Sequence, residues 1–367
     1  MNLGEKINLL QNEGQWDLSS EPLLSKNAAG DIVYSTSGSG LRLFKTLMDN
    51  SCTLDCSYCQ NSTHCRKPHI SYTPEELAKV FTYFQLNGMV DSLFLSSAVC
   101  VNADETMEKM IEAVRIIRER YRFRGYIHMK VLPGASKDAI GQASQYADRL
   151  SINIEAPNQN RLDELTSVKD FSNDLLKRQQ WIRDFKPKAG QSTQMIVGAG
   201  SETDLEILKT AEWEYGNMSL QRVYYSGFTP IKGTPLEDRE KTPEDRERRL
   251  YCVDYMMRNY GIDLNEFKPI FEEGNLPRGD PKIHLALKQL DKPVDVNQAE
   301  FEELIRVPGI GPISAYRILA SRGMKEIKSR SHLNSLGVVV KRAEPFVKIN
   351  GRIQKKMTEY LKDETVH

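Results

Sequence analysis

Six short β-rich runs alternate with amphipathic helical stretches between residues 42 and 230, and this alternation limits the architecture more than any other feature of the chain. The runs are RLFKTLMDN (42–50), DSLFLSS (91–97), GYIHMKVLPG (125–134), RLSINIEAP (149–157), STQMIVGAG (192–200) and QRVYYSGFTP (221–230). Between them lie PEELAKVFTYFQLNG, ETMEKMIEAVRIIRERY and SNDLLKRQQWIRDF, with apolar residues at helical spacing. Parallel strands need long crossovers, which these helices supply, so the pattern predicts an α/β fold with a parallel sheet.

The strand faces add a cavity. A parallel sheet packed on both faces reads as nearly continuous Val, Ile and Leu. Here Ile127, Met129 and Val131 share one face of the third run while Tyr126, His128 and Lys130 share the other. Ile152 and Ile154 alternate with Ser151, Asn153 and Glu155, and Val223 and Tyr225 alternate with Arg222, Tyr224 and Ser226. One face must meet helices, so the polar faces line a shared interior. A lumen that holds Lys, Glu, His and Arg is a binding cavity, because unpaired buried charge is too costly to keep for packing alone. An open sheet with one solvated face is the competing reading.

The N-terminal MNLGEKINLL has no apolar run with a cleavage site, and no window approaches the roughly 20 apolar residues of a membrane span. The expected location is the cytoplasm, with no membrane partner. Thiols stay reduced there, so the tight group in CTLDCSYC (52–59), three of the chain's six cysteines, reads as a metal or catalytic site. It follows the first strand, where ligand-binding loops of βα folds gather. The spacing lacks the two separated pairs common in structural zinc sites, although a zinc knuckle completed by His64 or Cys65 remains an alternative. A 4Fe-4S cluster on three thiolates leaves one iron open to a non-protein ligand. Cys65, Cys100 and Cys252 are too scattered to form a site by sequence and read as small buried hydrophobes, with a second cluster or thiol role for Cys65 and Cys100 as the alternative.

CTLDCSYC at the mouth of a six-unit βα barrel resembles the radical S-adenosylmethionine (SAM) superfamily, whose signature is CxxxCx(aromatic)C. The resemblance implies a partial (β/α)6 TIM-like barrel, a 4Fe-4S cluster on Cys52, Cys56 and Cys59, and reductive cleavage of SAM to a 5′-deoxyadenosyl radical that takes hydrogen from substrate. It implies that Tyr58 borders the adenine. Ser96 and Ser97 stand where the family has a Gly-Gly-Glu-like motif for the SAM amine, a departure from its pattern. Glu155 falls where the family holds ribose or methionine groups; an ion pair with Lys130 or Arg222 is the structural alternative. MIVGAGSETD resembles the segment that passes the adenine, implicating Gly198, Gly200 and Glu202. FTPIKGTPLE resembles the closing segment of biotin-synthase-like members.

The chain has a formal net charge of zero, but residues 292–362 hold 14 Lys and Arg against 7 Asp and Glu. Within this basic piece, Asn297 can cap a helix with Phe301, Leu304 and Ile305 on its apolar face. PGIG then forms a turn, and Ile313, Ala315, Ile318 and Leu319 mark a second helix. The αα-hairpin resembles the helix-hairpin-helix module of DNA-binding and repair proteins, and HLNSLGVVVKRAEPFVKINGR resembles a degenerate second hairpin. Gly309, Ile310 and Gly311 are the expected phosphate-facing turn, where open amides meet a helix start. Lys341 and Arg342, with Lys348 and Arg352, add diffuse positive charge. A protein-binding use of the module is the competing reading.

The combination resembles the family of radical proteins assigned to DNA modification or repair. It implies DNA as partner, with RNA second, and a low-potential electron donor such as flavodoxin or ferredoxin. A small-molecule or tRNA-modifying enzyme, and a non-catalytic iron-sulfur DNA-binding protein, are the alternatives. The expected organisation is a helical extension (1–40), a barrel with trailing helix (41–275), a linker (276–291) and a small all-α helix-hairpin-helix domain (292–367).

Overall fold

The computed structural model describes residues 3–17, 22–26, 32–36 and 42–353. They form two compact units: one comprising the chain up to Glu202 together with Thr210–Pro243, the other Thr203–Lys209 together with the chain from Glu244 onward.

The first unit opens with α1 (Leu3–Glu13) and a single turn, Gly14–Trp16, followed by β1 (Pro22–Lys26), β2 (Ile32–Thr36) and β3 (Arg42–Leu47). It continues through α2 (Pro74–Leu86), β4 (Ser92–Ser96), α3 (Ala103–Glu119), β5 (Ile127–Lys130), α4 (Lys137–Tyr146), β6 (Arg149–Ser151), α5 (Gln159–Asp163), α6 (Lys177–Phe185), β7 (Gln191–Val197), α7 (Asp204–Asn217) and β8 (Leu220–Gly227). The eight strands lie in chain order; β1 to β3 pair antiparallel and β3 to β8 pair parallel. The six parallel strands with their crossover helices are the expected partial (β/α)6 TIM-like barrel. The extension expected as helical contributes a helix and also the β1–β2 hairpin, which lengthens the sheet beyond β3.

Local sequence sets where the helices begin. Thr73 and Glu76 form a reciprocal capping box ahead of α2, with Pro74 at its first position. Asn102 and Ser136 cap α3 and α4 by accepting from Glu105 N and Ala139 N. Each of these caps turns the chain just beyond a loop at the C-terminal end of a strand, which is where the site forms.

The strand from the fourth run is shorter than its alternation suggests. Pairing ends at Ser151, and the chain returns to the sheet at Glu155, which bridges to Met195 with φ of +62°. Ile152 and Ile154 are nonetheless buried at 1% and 0% exposure, so the burial period persists where the ladder has stopped.

The second unit contains α8 (Glu244–Tyr260), the helical turns of Leu264–Ile270 and α9 (Pro281–Gln289). It continues with β9 (Val294–Asp295), α10 (Phe301–Arg306), α11 (Pro312–Met324), α12 (Arg330–Ser335), α13 (Val340–Ala343), β10 (Val347–Ile349) and β11 (Arg352–Ile353). Three expectations change here. The trailing helix α8 groups with this unit, and α9, in the span expected as a linker, buries Ile283 and Ala286 in the same core as Leu304, Ile318 and Phe346. The hairpin domain is not purely helical: β10 pairs parallel with β9 and antiparallel with β11.

Candidate active site

The loops that follow the parallel strands close over a cavity whose wall includes Cys52, Cys56 and Cys59 together with Tyr58, Ser96, Ser97, Lys130, Asn153, Glu155, Gln194 and Ser226. Lys130, Asn153, Glu155 and Ser226 of the polar strand faces thus meet in one interior, whereas Tyr126, His128, Ser151, Arg222 and Tyr224 of the same faces are not among its lining residues. Phe228, Thr229 and Ile231 of the FTPI segment line it as well.

The cysteine loop is held at both ends by backbone bonds. Thr53 N donates to Val99 O at 2.8 Å and Ser57 N to Leu165 O at 2.8 Å, while Thr63 N closes onto Leu54 O at 2.9 Å. Amides also point at sulfur: Leu54 N lies 3.5 Å from Cys52 Sγ and Asn61 N lies 3.4 Å from Cys59 Sγ. Burial pushes the Cys59 thiol up to about 12, with Cys56 beside it acting the same way, and burial raises Cys52 too. A metal centre removes a thiol's proton on binding. Three cysteines on one cavity wall, N–H donors aimed at two of their sulfurs, and an adjacent ammonium fit an iron-sulfur cluster.

That ammonium is Lys169, which carried no motif in the sequence. It is 7% exposed. Burial opposes its charge, yet Cys56, Glu155 and Cys59 raise its pKa above the ordinary lysine range. Glu155 itself is raised by burial, with Lys169 and Lys130 acting in the opposite direction and Tyr58 hydrogen-bonded to it. Tyr58 is raised by burial and by the neighbouring Cys56 and Glu155, so it stays a phenol at neutral pH.

The floor of the lumen is occupied by a second unforeseen group. Asp17, on the N-terminal segment, accepts from Ser96 Oγ at 2.6 Å and Asn153 Nδ2 at 3.1 Å, and lies 3.4 Å from Lys130 Nζ. The backbone of the same segment is held by Lys45 Nζ on Gln15 O at 2.9 Å and Gln194 Nε2 on Trp16 O at 3.0 Å. Burial would raise Asp17, but Lys130, Ser96 and Lys45 hold it below the usual carboxylate range. Burial depresses Lys45 to about 8. Lys130 is thus ion-paired to Asp17, and its charge also acts on Glu155, for which it was the structural alternative partner.

The remaining residues expected near SAM fall in two groups. Ser97 lines the cavity with its hydroxyl turned onto Ala98 O at 2.8 Å. Glu202 instead accepts from Gly198 N at 2.5 Å and Gly200 N at 3.1 Å, so its carboxylate fastens the turn after β7.

In the second unit, the turn Pro308–Gly311 packs against the degenerate hairpin. Gly309 has φ of +83°, and Val339 N donates to its carbonyl at 2.9 Å. Ile310 is buried, and its carbonyl accepts from the buried Lys282 Nζ at 2.5 Å. Lys341 is exposed, whereas Arg342 is ion-paired to Asp280.

The Radical SAM superfamily model matches residues 48–213, and a helix-hairpin-helix motif model matches residues 290–341. The chain carries a radical SAM domain followed by a helix-hairpin-helix motif. Radical SAM enzymes use a 4Fe-4S cluster and SAM, the groups this cavity fits. A biotin synthase from Sulfurihydrogenibium sp. (strain YO3AOP1) is 25% identical over 229 residues, covering 57% of this chain and 64% of the relative. The chain therefore spans just under two thirds of that relative's length. Among solved structures, methylornithine synthase (PylB) aligns at a TM-score of 0.47 and 18% identity over 57% of this chain and 60% of that one. The hydrogenase maturase HydG from Carboxydothermus hydrogenoformans aligns at 0.46 and 13% over 57% and 50%. Among the described residues no helix is long and apolar enough to cross a membrane.

Proposed function

We propose that this radical SAM enzyme acts on nucleic acid, DNA first, in its modification or repair. The observation that carries the reading is the fusion of the cluster-binding cavity to a helix-hairpin-helix motif in the basic part of the chain, with its PGIG turn buttressed by the second hairpin. The Ile310 amide is bonded to Val307 O at 3.1 Å, so in this reading the glycine backbone of the turn and the exposed Lys341 meet phosphate and grip the backbone without reading bases.

In this reading Cys52, Cys56 and Cys59 hold the cluster, and Lys169 offsets the thiolate charge. SAM, when bound, supplies a carbon radical that takes a hydrogen atom from the substrate. Tyr58 and Glu155 offer the cavity a hydroxyl and a carboxyl for SAM's polar groups, and Ser97 adds backbone at the wall. The Ser96 hydroxyl is committed to Asp17 and the Glu202 carboxylate to its own turn, so their contribution to SAM is to shape. Gly198 acts through the same turn. Val131, Leu132 and Phe228 supply apolar wall that keeps water from a reactive species. Electrons come from a low-potential donor of the flavodoxin or ferredoxin class, and the expected location remains the cytoplasm.

The test is anaerobic incubation of the reduced, cluster-loaded protein with SAM and with duplex DNA, single-stranded DNA or RNA, followed by mass spectrometry of the nucleosides. DNA-stimulated SAM cleavage with an altered deoxynucleoside is the expected result. Cleavage indifferent to every nucleic acid, with no altered nucleoside, would move the substrate to a small molecule.

A further inference from the structure

Beside the cluster loop, and outside the cavity wall, three metal-ligand atoms from three separate segments converge. Asp49 Oδ2 lies 2.9 Å from His69 Nε2, Cys100 Sγ lies 3.9 Å from the same nitrogen, and all three ligand atoms fall within 4.8 Å of one another. From this convergence we infer that Asp49, His69 and Cys100 form a second metal site, for a single divalent cation of the zinc class. It is separate from the iron-sulfur site and independent of which substrate the enzyme takes.

The donor set selects the ion. A thiolate, an imidazole and a carboxylate are together too soft for magnesium or calcium and suit zinc. Bonds of about 2.0–2.3 Å to zinc place tetrahedral ligand atoms about 3.3–3.8 Å apart. The observed 2.9 and 3.9 Å separations bracket that range, so side-chain rotation within the existing loops is sufficient. A carboxylate and a thiolate also cancel a divalent charge. Because both short approaches use His69 Nε2, the trio is not a proton relay, which would engage both ring nitrogens.

The scaffold holds these atoms in place without an ion. Asp49 is 2% exposed, and its second oxygen accepts from Ser51 N at 2.8 Å, the outer bond that orients a ligating carboxylate. Asn50 pins the His69 segment, with Ile70 N donating to Asn50 Oδ1 at 2.7 Å and Asn50 Nδ2 to Pro68 O at 3.2 Å. Ala98 N donates to Asp49 O at 2.9 Å, and Cys100 N donates to Thr106 Oγ1 at 3.3 Å. His69 keeps about half of its side chain exposed, which leaves an entry path and a fourth position for water. Asp49 precedes the cluster cysteines, His69 follows them, and Cys100 adjoins Val99, whose carbonyl anchors Thr53. A cation here clamps both ends of the loop that carries the iron-sulfur ligands.

The test uses the full-length chain with Cys52, Cys56 and Cys59 all replaced by Ala, so that the cluster site cannot bind the probe, and titrates it anaerobically with Co²⁺. The expected result is one equivalent bound, with a sulfur-to-cobalt charge-transfer band and tetrahedral visible bands, all displaced by Zn²⁺. Cys100→Ala removes the charge-transfer band, and His69→Ala weakens binding at least tenfold. Cys65→Ala and Cys252→Ala change neither. No stoichiometric band, or a band that survives Cys100→Ala or disappears with Cys65→Ala, overturns the proposal. Should the triple variant fail to fold, native mass spectrometry of the cluster-loaded wild-type protein decides: one zinc beyond the cluster, lost in Cys100→Ala, supports the site. Its absence, or its retention in that variant, refutes it.

Discussion

Ser96 at the end of β4 donates a 2.6 Å hydrogen bond to Asp17, 79 residues earlier in the chain, and so fastens the N-terminal segment into the barrel lumen. Asp17 is also the anion that faces Lys130 and Lys45. Asp17→Ala leaves two buried ammonium groups without it and is expected to destabilise the barrel by about 3 kcal/mol, the scale for breaking a buried ion pair. Combining it with Lys130→Met should recover part of the loss, a coupling read from thermal melts of the two singles and the double. Simple additivity would reduce Asp17 to a packing role.

Lys169 gives a prediction about electron transfer. Removing a positive charge beside the cluster thiolates stabilises the oxidised form over the more negative reduced form, so Lys169→Met is expected to lower the cluster's potential. The shift should be on the order of 60 mV, a tenfold change in a one-electron equilibrium. Potentiometric titration followed by electron paramagnetic resonance measures it. A potential that does not move would confine Lys169 to pairing with Glu155.

Two buried groups give the two units opposite responses to alkali. Burial raises Glu214 from 4.5 to about 8, so the folded chain keeps a proton that the unfolded chain releases, and stability of the first unit falls as pH climbs from about 5 through 8. Burial lowers Lys282 from 10.5 to about 7, so the unfolded chain holds the extra proton and stability of the second unit rises from about pH 7 toward 10. Glu214→Gln should flatten the first slope, gaining about 1–3 kcal/mol at pH 8 and little at pH 5. Hydrogen exchange with mass spectrometry, compared at the two pH values, separates the units; parallel slopes in both would contradict the assignment.

The hairpin glycines are not equivalent probes of DNA binding. A Cβ at Gly309 would sit 2.4 Å from the Val339 carbonyl oxygen at a φ unfavourable to side chains, so Gly309→Val should unfold the turn and lower the melting temperature. At Gly311 the nearest atom is Tyr260 Oη at 3.4 Å, so Gly311→Ala should keep the melt within about 1 kcal/mol. Lys341→Glu should also keep the fold while weakening DNA binding and reducing the salt slope by about one. Binding unaffected by Gly311→Ala and Lys341→Glu together would direct the hairpins toward a protein partner.

The alternation of runs disclosed the parallel sheet because each strand is followed in sequence by its crossover helix, and the cysteine spacing singled out Cys52, Cys56 and Cys59 as candidate ligands because they lie in one short loop. Asp17 and Lys169 were not legible for the opposite reason. Each reaches the cavity from a segment without periodicity, QWD or SVKD, and its partners lie far away in sequence. Position 155 illustrates both cases: strand alternation places its carboxyl in the lumen, but nothing in NIEAP reveals that the ladder breaks before it. The basic patch was only half legible, since the Asp280 that neutralises Arg342 sits in what reads as a linker.

The left-handed backbone at Glu155 sets selection for heat resistance against selection for turnover. A non-glycine residue there holds about 1–3 kcal/mol of conformational strain. A randomised library at this codon, sorted only for survival of heating, should enrich Gly and Asn, which adopt that geometry at lower cost. The same library sorted for SAM cleavage should return Glu. If both sorts converge on Glu, the carboxyl belongs to the architecture of the barrel, and an engineer seeking a sturdier enzyme must look elsewhere.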